Sequence, residues 1–409
     1  MSLRPFLAIL RTPQVPRLLT GEVVGRMPIG MAGLAIVLLV REAGRSYGTA
    51  GLIAGAYAAA LGLTQPLLGR LVDRVGQTRV LLACAAASAL AFAGLAAAAE
   101  AGADPLLPVL AALAGASIPP VAACLRALWS DLLGHDADLQ AAFSVEAIVQ
   151  ELIFVTGPPL VALLAAVASP ALAMLGIAVL LLAGVGVFAG APVSRAWRGG
   201  RRAADWAGPL RSPGIRAVLA SNVVLAAAFG AVEVAVPAAA EELGSRALAG
   251  PLLALWAVGS IAGGLLLGGR ASGRPPERRL VGLLGLVAAG IAVLALVSGR
   301  LQLGAGMVAA GLGIAPAIAC LYLLVNRLAP AGTVTEAFTW VSSAFGTGIA
   351  AGNAIGGGLV QRAGTDATFL LAAAAVAAAA LLAWLRRRRL ATAARPGMRP
   401  APEELGRAG

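Results

Sequence analysis

Residues 69–82 read Gly69-Arg70-Leu71-Val72-Asp73-Arg74-Val75-Gly76-Gln77-Thr78-Arg79-Val80-Leu81-Leu82. They form a short charged turn between two apolar stretches, for no charged residue occurs in 46–69 or in 80–99. A helix needs about 20 apolar residues to cross the hydrocarbon core of a bilayer. Outward from this turn, long apolar stretches separated by short turns repeat along the chain. Apolar stretches fall at 18–40, 48–69, 79–99, 106–128, 141–166, 170–190, 214–239, 248–268, 280–299, 303–326, 335–360 and 367–385. Lipid cannot satisfy backbone amides, so each stretch is expected to be a helix, and the abundant internal Gly and Ala suit close helix packing. With 59% hydrophobic and 12% charged residues the composition excludes an ordinary soluble domain.

The charges sort by side. All 31 basic residues are Arg, and the formal net charge is +12. No basic stripe lies on a polar surface and only 4% of the chain is aromatic, so the expected large partner is the lipid bilayer and not nucleic acid. With loops assigned alternately and both termini on one side, about 25 Arg fall on that side. Arg41, Arg45, Arg246, Arg300 and Arg362 face the other way. The positive-inside rule puts both termini in the cytoplasm. Arg without Lys, with abundant Ala, Gly and Pro, matches GC-rich coding and points to a bacterial plasma membrane. No cleavable signal is expected before the first span, and residues 1–17 read as a short amphipathic lead-in. Cys84, Cys124 and Cys320 fall inside spans with no disulfide framework or metal-ligand spacing, and His135 reads as a solvated loop residue. Without a P-loop, metal cluster or nucleophile with a base partner, neither an enzyme nor a cofactor is expected.

The 69–82 turn resembles the G-x-L-a-D-r-x-G-r-k-r-x-l signature joining transmembrane helices 2 and 3 in the major facilitator superfamily of secondary transporters. Gly69, Asp73, Arg74, Gly76 and Arg79 are in register. The resemblance implies an all-α membrane protein of twelve transmembrane helices in two pseudo-symmetric six-helix halves, with spans 1, 4, 7 and 10 lining a central cavity. Asp73 lies between Arg70 and Arg74 and close to the start of span 3. There a carboxylate can hold the cytoplasmic ends of the halves together through charge-assisted hydrogen bonds and a helix N-terminus, so the loop is a candidate gate.

An internal repeat agrees with two related halves. Gly115, Ile118, Pro120, Cys124 and Leu125 return as Gly311, Ile314, Pro316, Cys320 and Leu321. Glu22-Val-Val24 with Gly30 returns as Asn222-Val-Val224 with Gly230, and the loop from Gly268 to Arg274 is a degraded echo of 69–74. The organisation read from this is an N-terminal half 1–190, a basic Gly/Pro-rich cytoplasmic link 191–213, a C-terminal half 214–385 and a basic tail 386–409. Substrate would sit between the halves near the midplane of a monomer, and the halves would rock around it.

Intramembrane charges are costly and therefore candidate functional groups. Glu22 and Arg26 share a face of span 1, either as an internal ion pair opened by protonation or substrate, or as a structural pair. In span 5, Glu146 and Gln150 lie within about 40° of each other on a helix whereas Glu151 points some 140° away, so the two glutamates cannot share one role. Arg126 in span 4 lies at a depth similar to Glu146, which makes a structural bridge and a transport role equal alternatives. Glu151 is deeper, where burial favours a neutral carboxyl, as a proton carrier requires. Glu233 in span 7 is either a second such group or an external vestibule charge. Asn222, Asn353, Tyr57, Gln65, Trp256, Tyr322 and Trp340 are further candidate substrate contacts, packing being the commoner role of the aromatics.

The segment Phe154-Val-Thr-Gly157-Pro158-Pro159-Leu160 resembles the G-x-x-x-G-P-x-x-G-G motif of drug–proton exporters. Its Gly157-Pro158 centre, a candidate helix bend, is kept; Ile153 and Val161-Ala162 replace the outer glycines. In span 4 the exporters' Arg and Gln positions are Ala111 and Ala114, so their usual relay arginine is absent. The function expected is proton-coupled efflux of an amphipathic or apolar small molecule by alternating access, the proton gradient supplying the energy. Uptake of a small metabolite with protons, or a transport-inactive membrane sensor, are the alternatives.

Overall fold

The computed structural model describes residues 4–133, 136–199, 208–245, 248–268, 275–297 and 299–391. His135, the centre of the basic link, Arg246, the 269–274 loop and the tail beyond 391 lie outside the described residues. Among the described residues all regular structure is helical. The spans become α1 (Val15–Glu42), α2 (Tyr47–Val75), α3 (Gln77–Glu100), α4 (Asp104–Leu132), α5 (Asp136–Val167), α6 (Pro170–Ala189), α7 (Pro213–Glu242), α8 (Ala249–Leu267), α9 (Pro276–Leu294) and α10 (Arg300–Leu328). The stretch Val334–Leu385 holds α11 (334–363) and α12 (365–385), separated at Gly364, whose φ of 83° no helix accommodates. Among the described residues ten helices are long and apolar enough to cross a membrane, the 52-residue one accounting for two spans. Helix α9 differs in opening on Glu277, Arg278 and Arg279 before its apolar run, and it completes the set of twelve. A short helix, Arg4–Arg11, precedes α1.

Local chemistry sets the ends. Ser46, Ser169 and Ser212 cap α2, α6 and α7 by accepting from the amides of Thr49, Leu172 and Ile215 at 3.1, 3.1 and 3.3 Å. Gly76, with φ 99°, reverses the chain between α2 and α3 within a single residue, a conformation that costs an L side chain dearly. Helix α4 is interrupted at Ser117-Ile118-Pro119-Pro120, and α10 at Leu312-Gly313. In lipid the freed carbonyls need partners. Thr64 donates to Ala116 O at 2.9 Å and Gln65 Nε2 to Ile118 O at 2.9 Å. Gln65, a candidate substrate contact by sequence, is thus committed to backbone.

The repeat extends to packing. A Cβ on Gly115 would strike the carbonyl of Tyr57 in α2, and one on Gly311 the carbonyl of Trp256 in α8. Likewise Gly30 abuts the carbonyl of Ile153 in α5, and Gly230 that of Ile349 in α11. Gly157 completes the first of these crossings, its Cβ position lying 2.9 Å from Gly30 O, while Asn353 stands at the equivalent place against Gly230. Backbones can approach this closely only where side chains are missing, which is how helices adhere without a hydrophobic drive between them. The halves meet where α2 packs on α11, where α5 packs on α8 and α10, and where the second part of α4 packs on α10 and α11.

Candidate functional site

The hydrogen bonds and ring contacts that join the halves run from the end carrying Arg4–Arg11 and the exit of α12, here the terminal end, to mid-depth. At the rim, Arg70 donates to Glu336 Oε1 from Nε at 3.1 Å and from Nη2 at 2.6 Å. Asp73 accepts from the amides of Thr335 at 3.2 Å and Glu336 at 2.8 Å. These are first-turn amides of α11, which have no acceptor within their own helix. The helix N-terminus that Asp73 holds is therefore across the seam and not that of α3, next in sequence. Gly69 lies against Glu336 and Thr339, so its missing side chain lets α2 and α11 touch. Gly76 packs near Trp197 and Arg198, while Arg74 and Arg79 are exposed.

Deeper in, Arg126 Nε donates to Glu146 Oε2 at 2.7 Å, and Trp129 Nε1 donates to Glu146 Oε1. Both charges are buried, Arg126 at 1% and Glu146 at 0% exposure. The guanidinium reaches across the seam and lies 3.8 Å from the ring centre of Tyr322 in α10, with Phe338 of α11 at 5.8 Å. Phe143 of α5 stands 6.0 Å from both of those rings. Such a cage attracts a cation to its ring faces while excluding water. Cys320 donates to Gln140 Oε1 at 3.7 Å, again between halves. Beside this layer Arg26 pairs with Glu22 and donates to Gln150 Oε1 at 3.2 Å. Glu22 is fully buried and its second oxygen has no partner among the described residues.

At mid-depth the α5 face turns, as the helix angle requires, and Glu151 bonds elsewhere: its Oε1 accepts from Ser260 of α8 at 3.1 Å. Beyond mid-depth the seam opens. Gly33, which continues the Arg26 face of α1, meets nothing within 4 Å, as do Gly51 and Gly55 of α2. Glu233 is exposed on the face of α7 that also carries Phe229. Asn222 is buried and donates to Val341 O at 2.9 Å, tying α7 to α11 within one half. The bends at Gly157 and Pro158 stay inside a continuous α5, where the glycine serves the crossing with α1.

A family model described as Major Facilitator Superfamily matches residues 18–232 and 218–407. The chain belongs to that superfamily. Among solved structures it is similar to the human organic anion transporter MFSD10 (TETRAN), with 17% identity, a TM-score of 0.73, and coverage of 90% of this chain and 98% of that one. A bacterial homologue of the iron transporter ferroportin in an outward-facing state shows 15% identity and a TM-score of 0.68 over 91% and 99%. The E. coli fucose:proton symporter FucP shows 15% identity and a TM-score of 0.67 over 92% and 99%. No curated protein matches. The likeness to these structures is one of fold. As a superfamily member the chain is a multi-pass membrane protein built for transport.

The rim partner Glu336 and the cage residues Trp129, Phe143 and Phe338 were not singled out by sequence reasoning, nor was Ser260. For Glu336 a signal exists: Thr333-Val-Thr-Glu336 after Pro330 has the spacing of a helix start, and it falls on the Arg-rich side opposite the signature turn.

Proposed function

We propose that the protein expels a small amphipathic or apolar molecule across a bacterial plasma membrane by alternating access, driven by protons, with both termini cytoplasmic. Glu151 carries the reading. It sits at mid-depth on the seam, its bond to Ser260 crosses from one half to the other, and no basic residue pairs with it among the described residues. A proton on such a carboxyl changes how the halves are joined, which is the coupling a proton-driven rocking mechanism needs. Glu146, held by Arg126 and Trp129, stays charged and structural in this reading; Glu22, with one free oxygen, is the fallback carrier.

The functional test uses proteoliposomes and ethidium with a panel of apolar compounds. Glu151→Gln is expected to lose pH-gradient-driven efflux and keep gradient-free exchange. Full gradient-driven efflux by both Glu151→Gln and Glu22→Gln overturns the assignment and makes Glu233 the next residue to test.

With cytoplasmic termini, the closed terminal end makes the arrangement outward-facing. In a chain lacking its native cysteines, a cysteine at exposed Ala196 is expected to label from the cytoplasm and one at exposed Leu296 from outside. Labelling of both from outside contradicts the topology.

A further inference from the structure

The charges of the cleft do not cancel. Arg26 is matched by Glu22 and Arg126 by Glu146, which leaves Glu151 and Glu233, one from each half, without a basic partner among the described residues. An aromatic wall runs between them. Trp256 is one turn from Ser260, the donor to Glu151, and meets Phe229 edge-on at 5.3 Å. Phe229 in turn is one turn from Glu233 and meets Phe345 at 6.1 Å. Trp256 is only 9% exposed, and its Nε1–H has no acceptor among the described residues. A buried donor without an acceptor is destabilising, and a bound molecule that supplies an oxygen relieves it.

We propose that the cleft takes an organic cation with an apolar body and an acceptor oxygen, its positive charge held between Glu151 and Glu233 and its flank against Trp256 and Phe229. The inference rests on the transport reading above and narrows it to a substrate class. Two carboxylates without a basic partner attract a cation and repel an anion of the same shape. Trp faces add a cation–π attraction. A neutral apolar molecule would leave both charges desolvated and unmatched. Protons and the cation then compete for the same oxygens, so one is displaced as the other binds.

The test is equilibrium binding to purified full-length protein in nanodiscs, without any gradient. Tetraphenylphosphonium and tetraphenylborate share size and apolar surface and differ in the sign of their charge. The phosphonium is expected to bind and the borate not to compete with it. Glu151→Gln and Glu233→Gln are each expected to weaken phosphonium binding about tenfold or more, the scale of one lost charge contact. Trp256→Phe should weaken rhodamine 123, which carries an ester oxygen, and spare the phosphonium. Equal binding of the two ions to the unmodified protein overturns the proposal whatever the variants do, as does unchanged phosphonium affinity in both well-folded Gln variants. Charge-selective binding without proton-driven efflux would sink the coupling reading and leave this one standing. Proton-driven efflux of neutral compounds with no charge selectivity would sink this one alone.

Discussion

Asp73→Asn is expected to slow flux about tenfold or more while the protein still inserts and folds. In the closed terminal end both carboxylate oxygens accept from α11 amides, at 3.2 and 2.8 Å. Hydrogen bonds to a charged group contribute about 1.5–3 kcal/mol each, and a negative charge at a helix N-terminus adds about 0.3–1 kcal/mol. Asparagine keeps one acceptor oxygen, loses the charge and turns an NH2 donor toward backbone donors. A net loss of about 2 kcal/mol, allowing for what asparagine retains, shifts the ratio of closed to open about thirtyfold. The helix bundle of each half does not depend on this contact, so folding survives. Cys320 reports the shift: it is fully buried beneath the seam, and with Cys84 and Cys124 replaced by Ala its maleimide reactivity should rise about tenfold or more in the variant. Wild-type reactivity and wild-type flux together would remove the gating role of this turn.

Glu146→Ala is expected to be the most destabilising single change at the site. Arg126 reaches into a cage of rings with Glu146, at 2.7 Å, as its only ion-pair partner among the described residues. Removing one member of a buried pair leaves the other charge uncompensated, at a cost of about 3–5 kcal/mol. The tolerable alternative is removal of both: Arg126→Met with Glu146→Leu should recover most of the loss, because well-packed apolar residues often replace a buried pair without penalty. Thermal melts of the purified variants check this. A single variant as stable as the double one would show that the pair is hydrated and not structural.

The comparison between residues and structure separates two kinds of information. Hydropathy located all twelve spans, because lipid leaves a backbone no choice but helix; only the ends moved, as in α9, which starts at Pro276. The repeat was legible because duplicated halves need the same glycines, and Gly115 and Gly311 do meet equivalent carbonyls. Charges on one helix were legible too, Glu22 with Arg26 through their four-residue spacing and the divergence of Glu146 and Glu151 through helix angle. What crosses between halves was not. Nothing in a period of 3.6 tells α2 that its partner is α11, so Glu336 and Thr335 were missed, and which helix N-terminus Asp73 would hold was not legible. Polar candidates inside spans were also ambiguous, since a broken helix in lipid recruits amides for its own carbonyls. Gln65 and Asn222 turn out to bind Ile118 O and Val341 O.

The central claim is that the two ends of the seam open in alternation and that Glu151 links this to protons. Helices α2 and α11 span the seam from end to end, so one pair of spin labels at each end reads it directly. Val75 with Ala331 samples the terminal end and Gly51 with Ala363 the opposite end, all four positions being exposed. Measured by double electron–electron resonance in nanodiscs across a pH series, the terminal-end distance should lengthen as the opposite-end distance shortens, and Glu151→Gln should abolish the response in both pairs. Distances that change together, or a pH response that survives Glu151→Gln intact, would contradict the account.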